Sequence, residues 1–385
     1  MAIHFTAEEL GARRAAAVAA MDARGLAGLL VFKPESMFYL TGYDTFGFCF
    51  FQCLWLGRDG GMTLLTRAPD LRQARHTSVI EDIRVWVDTA GADPAEELRR
   101  VASEHGAAGE GVGVELDTYG LTAASWRRVE AAFEGFARLE DASGLVSDLR
   151  LVKSPAELEL VRRAAELADD ALTEAERLAV PGAFEGDILA AMQGAVFRGG
   201  GDYPGNEFII GSGRDALLCR YFSGRRRLGS RDQLTLEFAG AWRHYHSALM
   251  RTFVIGPAAA RHQALYRACS EALDGCLDAV RPGRIFGDVF AAHARVLDAA
   301  GLRAHRMNAC GYSLGATFAP TWMDGPMFFA GNPRPIEPGM VLFVHIIIAD
   351  SDTGLAMTLG ETVIVTTGGC DRLSRIPRRI SPGLS

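Results

Sequence analysis

Residues 234–252 read LTLEFAGAWRHYHSALMRT and decide how the chain folds. The pattern predicts a β-strand, a short turn and a second strand that runs into Arg251. Glu237 stands between Leu236 and Phe238, whose side chains point to the other face because successive strand residues alternate. A carboxylate inside a sheet is costly unless it is paired or functional. Glu237 is therefore the first candidate for chemistry, and the alternative is a buried ion pair with Arg220 or Arg251.

The composition is that of a globular protein without a nucleic-acid or membrane surface. The 385 residues carry a net charge of -7, which argues against the basic face that nucleic acids require. No apolar run approaches the roughly 20 residues that span a bilayer. The seven cysteines are scattered without zinc spacing, and the first ten residues read as a helix start, so we expect a cytoplasmic protein.

The order of the elements predicts two domains. Up to residue 148, helices alternate with short strands, which predicts a small α/β domain. Ser154 and Glu157 flank Pro155 in the pattern of a capped helix start, and a long amphipathic helix follows. From 149 to 385 the pattern predicts an antiparallel sheet with paired helices, so the whole chain is expected to be α+β.

Several short motifs extend this interpretation along the chain. They are YLTGY at 39–43, KSPAEL at 153–158, GSG at 211–213, RTF at 251–253, EPGM at 337–340 and ETVIVT at 361–366. In this order and spacing, together with the hairpin, they resemble the pita-bread (creatinase/aminopeptidase P, M24-like) family over nearly the whole chain. The resemblance implies a creatinase-like N-terminal domain and a pita-bread domain with a curved antiparallel sheet.

Members of that family hold two divalent cations with two Asp, one His and two Glu. Matched by position, the resemblance places these residues at the five ligand positions: Glu237, Ala248, Tyr312, His345 and either Gly360 or Glu361. With an Ala and a Tyr in the set, we expect no metal and no cofactor. Arg220 stands where the family carries a catalytic His, and a guanidinium binds carboxylates rather than removing protons.

Among metal-independent members the chain most resembles ectoine hydrolases, with creatinases next. The more specific stretches are GYSLG at 311–315 and PTW at 320–322. The resemblance implies hydrolysis of a small polar cyclic amidine or amide-like solute, with elimination left open. Glu237 is expected to be base or nucleophile, Glu361 and His345 to orient substrate or move protons, and Tyr312 to stabilise charge. The expected substrate-binding residues are Arg220, Tyr245, His246, Trp322 and Phe46.

Two other functions remain open at this point. One is a metal-dependent Xaa-Pro peptidase or lyase that uses His345, Glu361 and His246 as unusual ligands. The other is a non-catalytic pita-bread protein that binds a small molecule or peptide. The resemblance also implies a homodimer in which the N-terminal domain of one subunit covers the site of the other. No nucleic-acid or membrane partner is expected.

Overall fold

The computed structural model describes residues 3–220 and 224–382. The chain divides into two compact units, Met1–Arg150 and Leu151–Ser385. The predicted boundary after residue 148 lies next to this division. Within the described residues, no helix combines the length and apolarity needed to cross a bilayer.

The first unit is a six-stranded sheet with helices around it, in the order β4-β3-β2-β1-β5-β6. Its strands are β1 Leu26–Val31, β2 Cys53–Gly57, β3 Met62–Arg67, β4 Asp82–Trp86, β5 Gly111–Val114 and β6 Arg138–Asp141. Its helices are α1 Ala7–Asp22, α2 Pro34–Thr41, α3 Leu71–Thr77, α4 Pro94–Glu104, α5 Ala123–Phe133 and α6 Gly144–Leu151. The alternation of helix and strand expected from the sequence is confirmed. Residues 47–49 form a 3₁₀ turn ahead of β2, which begins at Cys53.

The second unit is built on an antiparallel sheet in the order β11-β10-β12-β13-β9-β8-β7, with β14 paired to β13. Its strands are β7 Ile209–Ser212, β8 Asp232–Trp242, β9 Tyr245–Ile255, β10 Ala309–Ser313, β11 Asp324–Phe329, β12 Val341–Asp350, β13 Leu355–Val365 and β14 Cys370–Arg372. Its helices are α7 Pro155–Leu178, α8 Glu185–Arg198, α9 Ala260–Ala279 and α10 Phe286–Ala299. The predicted antiparallel sheet with helices is confirmed.

Helix α7 begins where the sequence predicts. The Ser154 side chain accepts from the backbone N–H of Glu157, and the Glu157 carboxylate accepts from the N–H of Ser154, which is a complete capping box. Pro155 occupies the first helical position, where no amide proton is needed. The buried face of α7 packs against β8 and β9. Helix α7 thus covers one face of the β8–β9 hairpin, and Glu237 lies on the other face.

Candidate active site

The strand register places a row of residues across the centre of the sheet of the second unit. Glu237 on β8 pairs with Met250 on β9, Met250 pairs with Gly360 on β13, and Gly360 pairs with His345 on β12. Residues directly opposite each other in antiparallel strands point to the same face. We call these four residues the cross-sheet row. They bring Glu237 and His345 to one face of the sheet, although 108 positions separate them in the chain.

Glu237 is a buried carboxyl with one hydrogen-bond donor from the described residues. Only 8% of the residue is exposed, and the Tyr312 hydroxyl donates to its Oε1 at 3.2 Å. Burial raises the pKa of Glu237 to about 7, against the lowering effects of Tyr312 and of the Arg220 charge. Glu237 therefore changes protonation near neutral pH, which suits proton transfer or nucleophilic attack.

Tyr312 is held in place by Trp322. The Trp322 indole Nε1–H donates to the Tyr312 Oη at 2.9 Å, and both side chains are buried. Burial and the neighbouring Glu237 carboxylate raise the pKa of Tyr312 well above its ordinary value. Tyr312 is thus a neutral hydrogen-bond donor at physiological pH. Trp322 was expected to contact substrate, and the structure places its N–H on Tyr312 instead.

His345 is kept neutral by its surroundings. Its ring lies 5.6 Å from that of Tyr312 and 5.4 Å from that of Phe343. Its Nδ1 is buried, without a hydrogen-bond partner among the described residues. Burial lowers the pKa of His345 to about 3, and the positive charge of a protonated His293 would oppose protonation further. At neutral pH His345 therefore offers an uncharged imidazole for hydrogen bonding.

Glu361 does not join this group, and its expected position beside Glu237 is corrected. In the β12–β13 ladder it pairs with Val344, which places it on the opposite face from His345. There its Oε1 lies 2.7 Å from Arg251 Nη2 and 3.7 Å from Arg372 Nη1. Glu361 forms a buried ion pair instead. Gly360 is the residue that stands in the cross-sheet row.

His246 and Tyr245 were both expected to bind substrate, and the structure gives each another role. His246 is fully buried on the Glu237 face of β9, but both of its ring nitrogens are used. Nε2 accepts from the Gly205 N–H at 2.9 Å, and Nδ1 lies 3.1 Å from Thr317 Oγ1. The Tyr245 hydroxyl donates to Glu157 on α7 at 2.7 Å, so this ring faces the helix.

The two remaining expected substrate contacts are exposed. Arg220 lies in the segment between β7 and β8, and its charge acts on both Glu237 and Tyr312. Its binding of a substrate charge stays a prediction. Phe46 belongs to the first unit, and 78% of its surface is exposed.

Three apolar residues complete the face around Glu237, and two of them, Phe343 and Met250, were not singled out from the sequence. Phe343, Met250 and Ala248 are almost fully buried there. A Cβ added to Gly360 would lie 2.6 Å from Phe343 Cζ and 2.9 Å from Met250 Cβ, so no side chain fits at residue 360. A glycine inside an apolar strand is the sequence signal from which this close approach could have been predicted.

The five positions matched to the family's metal ligands do not fit a pair of divalent cations. Glu237 is the one carboxylate among them. Ala248 offers no donor, Tyr312 is a neutral phenol committed to Glu237, and Gly360 has no room for a side chain. A protein site for such a pair of divalent cations needs several carboxylate and imidazole ligands. These positions therefore do not form a site for a pair of divalent cations.

Comparison with known proteins gives the same architecture. Residues 159–367 match metallopeptidase family M24, and residues 13–152 match the creatinase/prolidase N-terminal domain. The chain is 26% identical over 399 residues to the ectoine hydrolase of Halomonas elongata, covering 99% of this chain and 98% of that protein.

Solved structures extend the comparison. The dipeptidase PepE of Mycobacterium ulcerans superposes with a TM-score of 0.85 at 26% identity, covering 98% of each chain. A prolidase of Thermococcus sibiricus superposes with a TM-score of 0.87 at 19% identity, covering 98% of this chain and 100% of that one. At that identity the second match supports the fold alone.

Proposed function

The chain belongs to metallopeptidase family M24, and we propose that it is a metal-independent hydrolase of a small polar substrate such as a cyclic amidine. The observation that carries this proposal is Glu237. It is a buried carboxyl whose pKa is raised to about 7, on a sheet face from which the other metal-ligand carboxylates have been replaced. Similarity to ectoine hydrolase over 99% of the chain supports the substrate class.

In the proposed reaction Glu237 acts as general base. Its carboxylate takes a proton from water while the water oxygen attacks the amidine carbon. The tetrahedral intermediate then breaks its bond to one ring nitrogen, and that nitrogen receives the proton held by Glu237. The product is an open chain with one amide and one amine. A base with a pKa near the working pH is efficient in this role.

The other residues of the face are assigned by what they offer. Tyr312 donates to the ionised form of Glu237 and so keeps part of the carboxylate population available near neutral pH. The neutral His345 imidazole orients a substrate N–H or carbonyl. Arg220 binds a carboxylate on the substrate, so a zwitterion with a delocalised cation beside Glu237 is the best match. The apolar surfaces of Phe343 and Met250 exclude water around the ring.

A metal-dependent peptidase is not favoured by this geometry. The three ligands considered for it were His345, Glu361 and His246. Glu361 lies on the other face of the sheet, and both nitrogens of His246 are already bonded. These three residues therefore do not form one metal-coordination site.

The test is turnover by the purified protein in the presence of a strong chelator. Ectoine, related cyclic amidines and a set of Xaa-Pro dipeptides are incubated with wild type and with Glu237→Gln, and products are identified by mass spectrometry. We expect ring opening of an amidine that resists chelation and falls by roughly 10²–10⁴-fold in Glu237→Gln. Exposed Glu130→Gln is the matched control and should keep full activity.

Three results would decide against the proposal or refine it. Dipeptide cleavage abolished by chelation, without amidine turnover, would establish a metallopeptidase. Thermal stabilisation by an amidine without any product would establish a binding protein. A covalent adduct on Glu237 after acid quench, absent from Glu237→Gln, would change the role of Glu237 from base to nucleophile.

A further inference from the structure

The direction of the hydrogen bond between Tyr312 and Glu237 is fixed by a third residue. An indole N–H is a donor only, so the Tyr312 oxygen must accept the bond from Trp322 Nε1 at 2.9 Å. The proton of Tyr312 is then left for Glu237 Oε1, 3.2 Å away. We propose that Trp322 is a positioning residue that holds Oε1 of Glu237 as an acceptor and leaves Oε2 as the oxygen that reacts.

This assignment deepens the proposed function and rests on it for its catalytic meaning. Among residues 3–220 and 224–382, no hydrogen bond is made to Glu237 Oε2. When Glu237 is protonated, Oε1 still accepts from Tyr312, so the acidic proton sits on Oε2. The same atom therefore takes the proton from water and returns it to the departing ring nitrogen. Proton uptake and release occur at one place.

Trp322 is anchored through its backbone as well. Its N–H donates to Asn206 Oδ1 at 3.1 Å, and the residue is 1% exposed. A Cβ added to Gly205 would lie 2.5 Å from the Thr321 carbonyl oxygen, so the two segments are in close backbone contact. The segment between β10 and β11 is thus fixed against the segment before β7.

His246 contacts both of these segments through its ring nitrogens. It accepts from the Gly205 N–H through Nε2 and contacts the Thr317 hydroxyl through Nδ1. Since a neutral imidazole has one donor and one acceptor nitrogen, Nδ1 carries the proton and donates to Thr317 Oγ1. His246 thereby supports Trp322 without touching the reacting atoms, which explains a buried histidine on this face.

Removing the indole N–H should change the acidity of Glu237. In Trp322→Phe the Tyr312 oxygen has no donor to satisfy it, so the hydroxyl is free to turn and the Glu237 carboxylate loses a fixed donor. We expect the pKa of Glu237 to rise by roughly one unit, the size of one hydrogen bond to a charged group. Tyr312→Phe should give the same direction of change, and Asn206→Ala a smaller one.

The measurement needs no substrate. Infrared spectra of protein labelled with ¹³C in the glutamate carboxyl are recorded against pH, and the band lost in Glu237→Gln identifies Glu237. The matched control is Trp55→Phe, because Trp55 is equally buried and its Nε1 has no hydrogen-bond partner among the described residues. No shift of the Glu237 band is expected there.

The outcomes separate the two proposals. An unchanged Glu237 pKa in folded Trp322→Phe, or an equal shift in Trp55→Phe, overturns the positioning role. If Trp322→Phe does not fold, Asn206→Ala and Tyr312→Phe decide the question by the same spectra. With an active substrate, a positioning role lowers kcat and moves the acid limb upward, whereas a substrate contact raises KM alone. A shifted pKa without any amidine turnover would reject the substrate class and keep the positioning role.

Discussion

Arg251 and Glu361 form a buried ion pair on the face of the sheet opposite Glu237, with Nη2 2.7 Å from Oε1. Neither residue exceeds 1% exposure. The other terminal nitrogen of Arg251 donates to the carbonyl oxygens of Gly360 at 2.7 Å and Met250 at 2.8 Å. These two residues are the middle of the cross-sheet row. The ion pair therefore holds β9 and β13 together directly behind the site.

Breaking this pair should destabilise the protein without changing the acidity of Glu237. In Glu361→Ala the Arg251 charge is left buried away from water, and its hydrogen bonds to the Gly360 and Met250 carbonyls offset only part of that cost. We expect the free energy of unfolding to fall by roughly 3 kcal/mol in urea titrations. The exposed pair between Glu174 and Arg177 is the reference, and Glu174→Ala should cost about 1 kcal/mol or less. Folded Glu361→Ala that is fully stable but inactive would return Glu361 to the catalytic residues.

Glu237 should make the protein less stable as the pH rises. Its pKa is raised to about 7 in the folded state from an ordinary value of 4.5, so the native state binds more protons between these values. The contribution of Glu237 to the free energy of unfolding is therefore full below pH 4.5. It falls by roughly 3 kcal/mol as the pH rises to 7. Unfolding free energies of Glu237→Gln minus wild type should therefore grow by this amount from pH 4.5 to 8. The same difference for exposed Glu130→Gln should stay flat, and a flat line for Glu237→Gln contradicts the raised pKa.

His345 should give the opposite slope on the acid side. Burial lowers its pKa to about 3 from 6.5, so the unfolded state binds the proton first. The stability that comes from the neutral imidazole is full above pH 6.5 and is lost as the pH falls toward 3. Between pH 7 and 4.5 the loss is roughly 2–3 kcal/mol. His345→Gln should lack this loss in unfolding titrations, whereas His76→Gln, at an exposed position, should keep it. Equal acid slopes in wild type and His345→Gln would show that His345 is protonated in the folded protein.

Local signals in the sequence were sufficient for the elements that hold the site. The Ser154–Glu157 capping pattern predicts the start of α7, which begins at Pro155 in the structure. This start is decided by residues within one turn of each other. The hairpin of β8 and β9 is equally local, since its two strands are separated by two residues.

Which side chains face the site depends on the strand register, and the sequence left the register at residues 360 and 361 open by one residue. Gly360 and Glu361 were equally acceptable at the last ligand position, and a shift of one residue moves a side chain to the other face of a sheet. The same alternation places Tyr245 and His246 on opposite faces of β9, so the two side chains cannot face the same substrate. Phe343 lies two residues before His345 and shares its face, but only the pairing with β10 and β13 reveals that it fills the space above Gly360.

Restoring the lost carboxylate at residue 248 should not restore a metal site. Ala248 is fully buried, and its backbone N–H and carbonyl are both bonded to Thr362 Oγ1, at 2.9 and 2.8 Å. An Asp there lies diagonally across the strands from Glu237, roughly 7–8 Å away, where a like charge disfavours ionisation of both.

We therefore expect Ala248→Asp to lose roughly 2 kcal/mol of unfolding free energy and to raise the pKa of Glu237 further. Ala239→Asp is the matched control, because Ala239 pairs with Ala248 and is equally buried on the same face. The manganese content after dialysis, measured by plasma mass spectrometry, should equal that of the Asp352→Asn parent in both variants. Both carry Asp352→Asn, since His305, Asp350 and Asp352 form a separate group of three donors within 4.8 Å of one another. One manganese per chain in Ala248→Asp but not in Ala239→Asp would mean that Gly360 and Tyr312 do not prevent coordination, and this prediction would be wrong.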